Sequence, residues 1–342
     1  MASATVGVDI GGTKLLAGVV DRTGQVLEVL RRETPDRSKA PSVVEATIVD
    51  AVQELASRHA VRAVGVGAAG FVDASRSTVL FSPHLSWRRE PLKAALLDRL
   101  GVPVVIDNDA NLTAWAEYRF GAGQRFRQVL CITMGTGIGG ALLVDGKLFR
   151  GGQGMAGEFG HMQVVPQGRR CECGNRGCWE QYASGNALVR DARELILSGS
   201  PVAHTLREMA GAQAERLTGP LVTEAARAGD PIAVDLLREA GEWLGVGLAN
   251  LSSAFDPECI IIGGGVSEAG DLLLGPAREA LVRRLPGRGF RSEPEVVAAE
   301  LGPSAGFIGA ADMARTVLRR GRRGSRRTRR APRRSRSAAY LP

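Results

Sequence analysis

Thr5-Val-Gly-Val-Asp-Ile10-Gly-Gly-Thr-Lys14-Leu-Leu-Ala-Gly-Val-Val20 sets two apolar runs either side of a Gly-Gly turn. The runs Thr5–Ile10 and Leu15–Val20 predict paired strands, and Val26–Leu30, after a turn at Asp21–Gly24, predicts a third. The pattern recurs from Gln128. Val129–Met134 is followed by the turn Gly135-Thr136-Gly137, a strand at Ala141–Val144, the tight turn Asp145-Gly146 and a strand at Lys147–Phe149. Two strand–turn–strand units in one chain predict a duplicated α/β architecture with a cleft between the halves.

Between the two units, Pro41-Ser42 with Glu45 three residues after the serine predicts a capping box. Val44, Ile48, Ala51, Val52 and Leu55 keep helical spacing behind it. A strand at Ala63–Gly67, a helix near Pro91–Arg99, a strand at Val102–Asp107 and a helix from about Ala110 to Tyr118 follow. Beyond the second unit, Asp230-Pro231 opens a helix reaching about Ala254. The buried strand Cys259–Ile262 runs into Gly263-Gly264-Gly265, and a last helix spans about Ser304 to Leu318. This divides the chain into a small N-terminal α/β domain, 1–120, completed by the helix 304–318, a larger α/β domain, 121–303, and a tail, 319–342. Residues 319–338 are too polar and too charged to pack, so the tail is expected to be disordered.

Glycines at strand ends let backbone amides approach an anion. In Asp9-Ile10-Gly11-Gly12-Thr13-Lys14 the threonine hydroxyl and the lysine add donors, and Asp9 could hold magnesium through water. The sequence lacks the strand–loop–helix order of a Walker motif. With Gly135-Thr136-Gly137 and Gly263–Gly265 also at strand ends, a cleft for a nucleoside triphosphate accounts for the set better than an unliganded hairpin. Asp107-Asn108-Asp109 ends a strand and opens a helix, more polar groups than one cap requires, which frees at least one carboxylate. A carboxylate there can accept a proton from a substrate hydroxyl during phosphoryl transfer.

Glu158-Phe-Gly-His161, Cys171-Glu-Cys173 and Cys178-Trp-Glu180 supply three thiols and an imidazole, a closed tetrahedral set for structural zinc. Glu158 and Glu180 are left over, and with Asn108 and His161 they suit a polyhydroxylated ligand such as a sugar. The remaining cysteines, Cys131 and Cys259, lie in apolar strand-like runs, which fits reduced thiols in the cytosol.

The chain has 342 residues, 44% of them hydrophobic, and a net charge of +8. That charge belongs to the tail. Eleven arginines lie beyond Leu318, and taking them from the 44 basic residues leaves 33 against 36 acidic, a net of −3. The folded body therefore carries no sign of a nucleic-acid surface. No apolar run reaches the roughly 20 residues that span a bilayer, so no membrane partner is expected. No signal peptide is expected either.

These residues resemble the ROK family of sugar kinases, over about residues 5–318. Asp9–Lys14 looks like its first phosphate motif, Met134–Gly140 like its second, and Glu158–Glu180 like its zinc signature. Gly263–Gly265 is similar to its adenosine segment. Trp179–Gly185 and Ala68–Val72, including Gly70, look most like actinobacterial ATP-dependent glucokinases. The resemblance implies an actin/RNase H-like two-domain kinase that closes over its substrates. It implies glucose and ATP as substrates, magnesium carried with ATP, and a homodimer or homotetramer. By position it makes Asp109 the general base for the sugar 6-hydroxyl. Gly70, Asn108, Asp109, Glu158, His161 and Glu180 become sugar contacts, with zinc on His161, Cys171, Cys173 and Cys178. Asp9 would meet magnesium, with Gly11, Gly12, Thr13, Lys14, Thr136, Gly137, Gly263, Gly264 and Gly265 around the nucleotide.

The chain departs from this pattern at Pro83-His84, where relatives usually carry Pro-Asn. A histidine there either changes a contact near the sugar or sits on a loop surface, and the surface reading is preferred. Another hexose (N-acetylglucosamine, N-acetylmannosamine, mannose or fructose) or polyphosphate as donor stays open. A non-catalytic sugar-responsive regulator is the competing class. The family's repressors carry a helix-turn-helix domain ahead of the first phosphate motif, and only eight residues precede Asp9 here. The tail is expected to be a solvated extension, with weak, salt-dependent polyanion binding as the alternative.

Overall fold

The computed structural model describes residues 4–211 and 213–328. The first half runs β1 (Ala4–Ile10), β2 (Lys14–Val20), β3 (Val26–Glu33), α1 (Pro41–Ala56) and β4 (Val61–Ala68). A small sheet follows, β5 (Phe71–Val72), β6 (Val79–Phe81) and β7 (Arg88–Glu90), then α2 (Leu92–Leu100), β8 (Val104–Asn108) and α3 (Asp109–Phe120). The second half opens with β9 (Val129–Met134), β10 (Ile138–Val144) and β11 (Lys147–Phe149). After the cysteine loop come α4 (Glu180–Ala183), α5 (Gly185–Leu197), α6 (His204–Met209), α7 (Gly219–Arg227) and α8 (Pro231–Phe255). The chain ends with β12 (Cys259–Gly263), α9 (Asp271–Arg284), β13 (Glu295–Ala298) and α10 (Ala305–Thr328).

The duplication is visible in the strand order. One sheet reads β3-β2-β1-β4-β8 and the other β11-β10-β9-β12-β13. In each, a three-strand antiparallel meander continues into two parallel strands. The parallel strands end at the same edge, which puts their carboxyl ends where ligands bind in open α/β sheets. The molecule is a mixed α/β fold of two domains, each built on one of these sheets.

A row of glycines explains how α10 joins the first sheet. Gly7 pairs with Gly18 on one side and with Gly65 on the other, a smooth stripe across three strands. A Cβ at Gly7 or Gly65 would collide with the carbonyls of Phe307 or Ala310, and one at Gly18 with the Phe307 ring. The helix can therefore lie almost on the strand backbone. The chain crosses between domains after α3 and again before α10. Both crossings meet the fully buried Glu117, whose carboxylate accepts from the backbone N–H of Ala122 (3.1 Å), Glu300 (3.1 Å) and Leu301 (2.8 Å).

Several expectations need correction. The capping box is not formed: α1 starts at Pro41, its N-cap is Ala40, and no side chain caps it. Proline at the first position has no N–H to satisfy, and Glu45 is buried beside Glu90 instead. The last helix runs to Thr328, so residues 319–328 of the expected tail are helical, and residues 329–342 lie outside the described residues. The sequence reading places no element in 185–229 or 266–303, where α5, α6, α7, α9 and β13 lie. No described helix is long and apolar enough to cross a membrane.

Candidate active site

Asp107, Asn108 and Asp109 sit where β8 becomes α3, and the structure gives each a different task. Asn108 is the N-cap of α3. Its side chain accepts from Asn111 N (3.0 Å), while its amide donates to the Gly70 carbonyl (3.1 Å). Asp107 is buried and neutralised by Arg150, whose Nε (3.0 Å) and Nη2 (2.6 Å) both reach Oδ2. Asn111 Nδ2 (3.1 Å) and the Asn108 N–H (3.0 Å) occupy its other oxygen. Asp109 has no such clamp and faces a cavity of about 380 Å³.

That cavity gathers residues from both domains. Gly11 and Gly12 come from the first turn, Gly70 and His84 from the edge of the small sheet, and Asn108 and Asp109 from the start of α3. Thr136 and Gly137 come from the second turn, Glu158 and His161 from the loop after β11, Glu180 from α4, and Gly264 from the end of β12. A second cavity of about 310 Å³ adjoins it through Gly135 and Thr136 and is walled by Asn186, Thr223, Gly265 and Glu268. Thr13, Lys14, Asp9 and Gly263 line neither cavity.

The carboxyl groups hold one another in a strained state of charge. Desolvation raises the Asp109 carboxyl above its ordinary range, opposed by the N–H groups of Ala110 and Asp109 and by the positive field of His84. Asp9 is raised to about 7 by desolvation and by Asp109, with Lys14 pulling the other way. Glu158 is likewise raised to about 7, by desolvation, Asp109 and Glu180. Such crowding of like charges favours a site that receives a proton or a cation.

His161, Cys171, Cys173 and Cys178 converge, with their ligand atoms all within 4.8 Å of one another. The Cys173 and Cys178 sulfurs are 3.6 Å apart, as are Cys171 Sγ and His161 Nδ1. A tetrahedron with bonds near 2.3 Å has edges of about 3.8 Å, so the donor set fits zinc in both chemistry and spacing. Glu180 stands against this cluster, its Oε1 3.0 Å from Cys171 Sγ and 3.3 Å from His161 Nδ1. Trp179 anchors the loop. Its ring is fully buried over Gly247 of α8, and its Nε1 donates to the Trp243 carbonyl at 2.7 Å.

The sequence reading missed Arg150, which lines neither cavity but clamps Asp107, since nothing local tells which carboxylate it neutralises. His84 is exposed, as expected of a loop surface, and that surface is a wall of the cavity it shares with Asn108 and Asp109.

The pattern of the ROK family matches residues 5–317. A glucokinase of Streptomyces coelicolor is 48% identical over 311 residues, covering 91% of this chain and 97% of that protein. A glucokinase of Thermotoga maritima is 36% identical over 91% of this chain and 96% of its own length. Among solved structures, a ROK family glucokinase from Streptomyces griseus in complex with glucose and AMPPNP is 50% identical with a TM-score of 0.85. That match covers 92% of this chain and 100% of the other.

Proposed function

The chain belongs to the ROK family, and on that premise we propose that this ATP-dependent hexose kinase is a glucokinase. It transfers the terminal phosphoryl group of ATP to the glucose 6-hydroxyl. The observation that carries this reading is the pair of adjoining cavities with the unclamped Asp109 at the wall of one of them. The first cavity suits a sugar beside carboxylates, and the second suits a nucleoside reaching the glycine turns. The likeness to glucokinases over most of the chain supports the choice of sugar and donor.

In this reading Asp109 accepts the 6-hydroxyl proton as the oxygen attacks phosphorus, and its raised carboxyl suits a group that must take up a proton. Asn108, Glu158, His161 and Glu180 hydrogen-bond the remaining hydroxyls, with Gly70 closing the edge of the sugar pocket. The amides of Gly11, Gly12, Thr136 and Gly137 face the phosphates, Thr13 and Lys14 add donors beside them, and Gly263–Gly265 carries the adenosine. Magnesium arrives with ATP as part of the substrate, and Asp9 is the carboxylate set to meet it. Zinc on His161, Cys171, Cys173 and Cys178 would cross-link the loop and leave the phosphate untouched, since four protein ligands fill its shell.

A coupled assay of ATP-dependent phosphorylation over glucose, N-acetylglucosamine, N-acetylmannosamine, mannose and fructose tests the proposal. Glucose is expected to give the highest kcat/KM, and absence of turnover on all five would overturn it. Asp109→Asn should lower kcat by roughly 10²–10⁴-fold with glucose affinity little changed, the usual cost of removing a positioned base. Near-normal turnover would remove Asp109 from that role.

A further inference from the structure

The turn between β6 and β7 is built to present one side chain. Arg88 Nη1 donates to the carbonyls of Ser82 (2.6 Å), Leu85 (3.2 Å) and Trp87 (2.7 Å), and its guanidinium lies 4.2 Å over the Phe81 ring. Ser82 Oγ donates to the Ala69 carbonyl at 2.6 Å. Ser82, Leu85 and Trp87 are buried, so the turn is fixed from inside. His84 is its exposed member, and its ring has no hydrogen bond among the described residues.

The place it occupies lies between the two ends of the reaction. A Cβ at Gly12 would stand 2.8 Å from His84 Cβ and 3.3 Å from Cγ, so the imidazole is rooted against the first phosphate turn. Its side chain and Asp109 line the same cavity. The titratable groups that share its cavity are Asp109 from α3, Glu158 and His161 from the loop, and Glu180 from α4. Among the residues lining the cavity the basic side chains are His84 and His161, and His161 Nδ1 is turned toward Cys171 and Glu180. A phosphoryl group in transfer spreads negative charge over its equatorial oxygens and needs donors fixed in place. The lining offers carboxylates in excess and one basic side chain free of the cysteine cluster.

We propose that His84 is a catalytic residue that donates a hydrogen bond to the phosphoryl group as it passes from ATP to the sugar. This rests on the kinase reading above. The bond from phosphorus to the sugar O6 forms, the bond to the β–γ bridging oxygen breaks with its electron pair leaving on ADP, and the O6 proton goes to Asp109. His84 keeps its proton throughout and supplies only the hydrogen bond, which persists to the 6-phosphate of the product.

The experiment uses the full chain as purified with its metal, with wild type assayed first on ATP and glucose. His84→Ala and His84→Leu are expected to lose roughly 10²-fold in kcat, the cost of one oxyanion donor, with the glucose KM within about threefold. Glucose 6-phosphate, read as a product inhibitor, should bind about tenfold more weakly to the variants, while glucose binding holds. Added imidazole should restore part of the His84→Ala turnover and none of that of Asp109→Asn. A raised glucose KM with kcat intact would make His84 a sugar contact and overturn the proposal. Unchanged kinetics in both variants would overturn it alone, whereas absent wild-type turnover would take the kinase reading with it. His84→Gln, which keeps a donor, should melt with wild type and retain more activity than His84→Ala.

Discussion

Asp107 and Asp109 stand two positions apart and meet opposite fates. A guanidinium and two amides surround the first, whereas the second shares a cavity with Glu158, and desolvation raises both of those carboxyls. The proton balance gives this a direction. Glu158 sits at about 7 in the folded chain against an ordinary 4.5, so between these values the folded state holds more protons than the unfolded state. Its stability contribution therefore falls as pH rises through that window and does not recover above it. Glu158→Gln should raise the urea midpoint of the ligand-free protein at pH 8 and leave it nearly unchanged at pH 4.5. An equal shift at both would contradict the linkage. Turnover runs the other way, since a base must be unprotonated, and kcat should climb with pH as Asp109 ionises. The sequence showed that Asp107-Asn108-Asp109 held spare polar capacity. It could not show which carboxylate stayed unclamped, because Arg150 arrives from the other domain.

Cys178-Trp179-Glu180 compresses three roles into three adjacent residues. The cysteine joins the metal cluster, the indole fills a notch over Gly247, and the carboxylate opens α4 at the cavity wall. Because the segment is so short, loss of either anchor should move Glu180. Cys173→Ser is expected to lower zinc content and glucose affinity together, measured by metal analysis and by titration on the same sample. Trp179→Ala should cost about 3–5 kcal/mol of stability by emptying a buried aromatic site, and weaken glucose binding as well. Intact affinity in a folded Trp179→Ala protein would show that the metal alone positions Glu180. Elements with strong periodicity were readable: Val44, Ile48, Ala51, Val52 and Leu55 all face the core of α1. Weakly patterned ones were not. α9 carries Pro276 inside it, β13 has only 4 residues, and the start of α1 followed its proline rather than the serine and glutamate.

At the scale of the molecule, the recurrence of one strand–turn–strand unit made the two-domain plan legible, and the matching strand orders follow from it. The interface between the halves was not legible, because its pieces are far apart in sequence. Glu117 gathers Ala122, Glu300 and Leu301 and so ties the two crossings together. Glu117→Gln should destabilise the chain by about 2 kcal/mol, since one amide cannot accept from all three N–H groups. Faster amide exchange at 121–124 and 299–302 would check that the loss is local to the crossings. The stripe Gly7, Gly18 and Gly65 carries a further consequence, one of timing. The helix that covers it begins only at Ala305, so during synthesis the earliest strands wait with a bare groove until that helix too has left the ribosome. The domain begun first is completed last, and an emerging chain has good reason to need protection until α10 arrives.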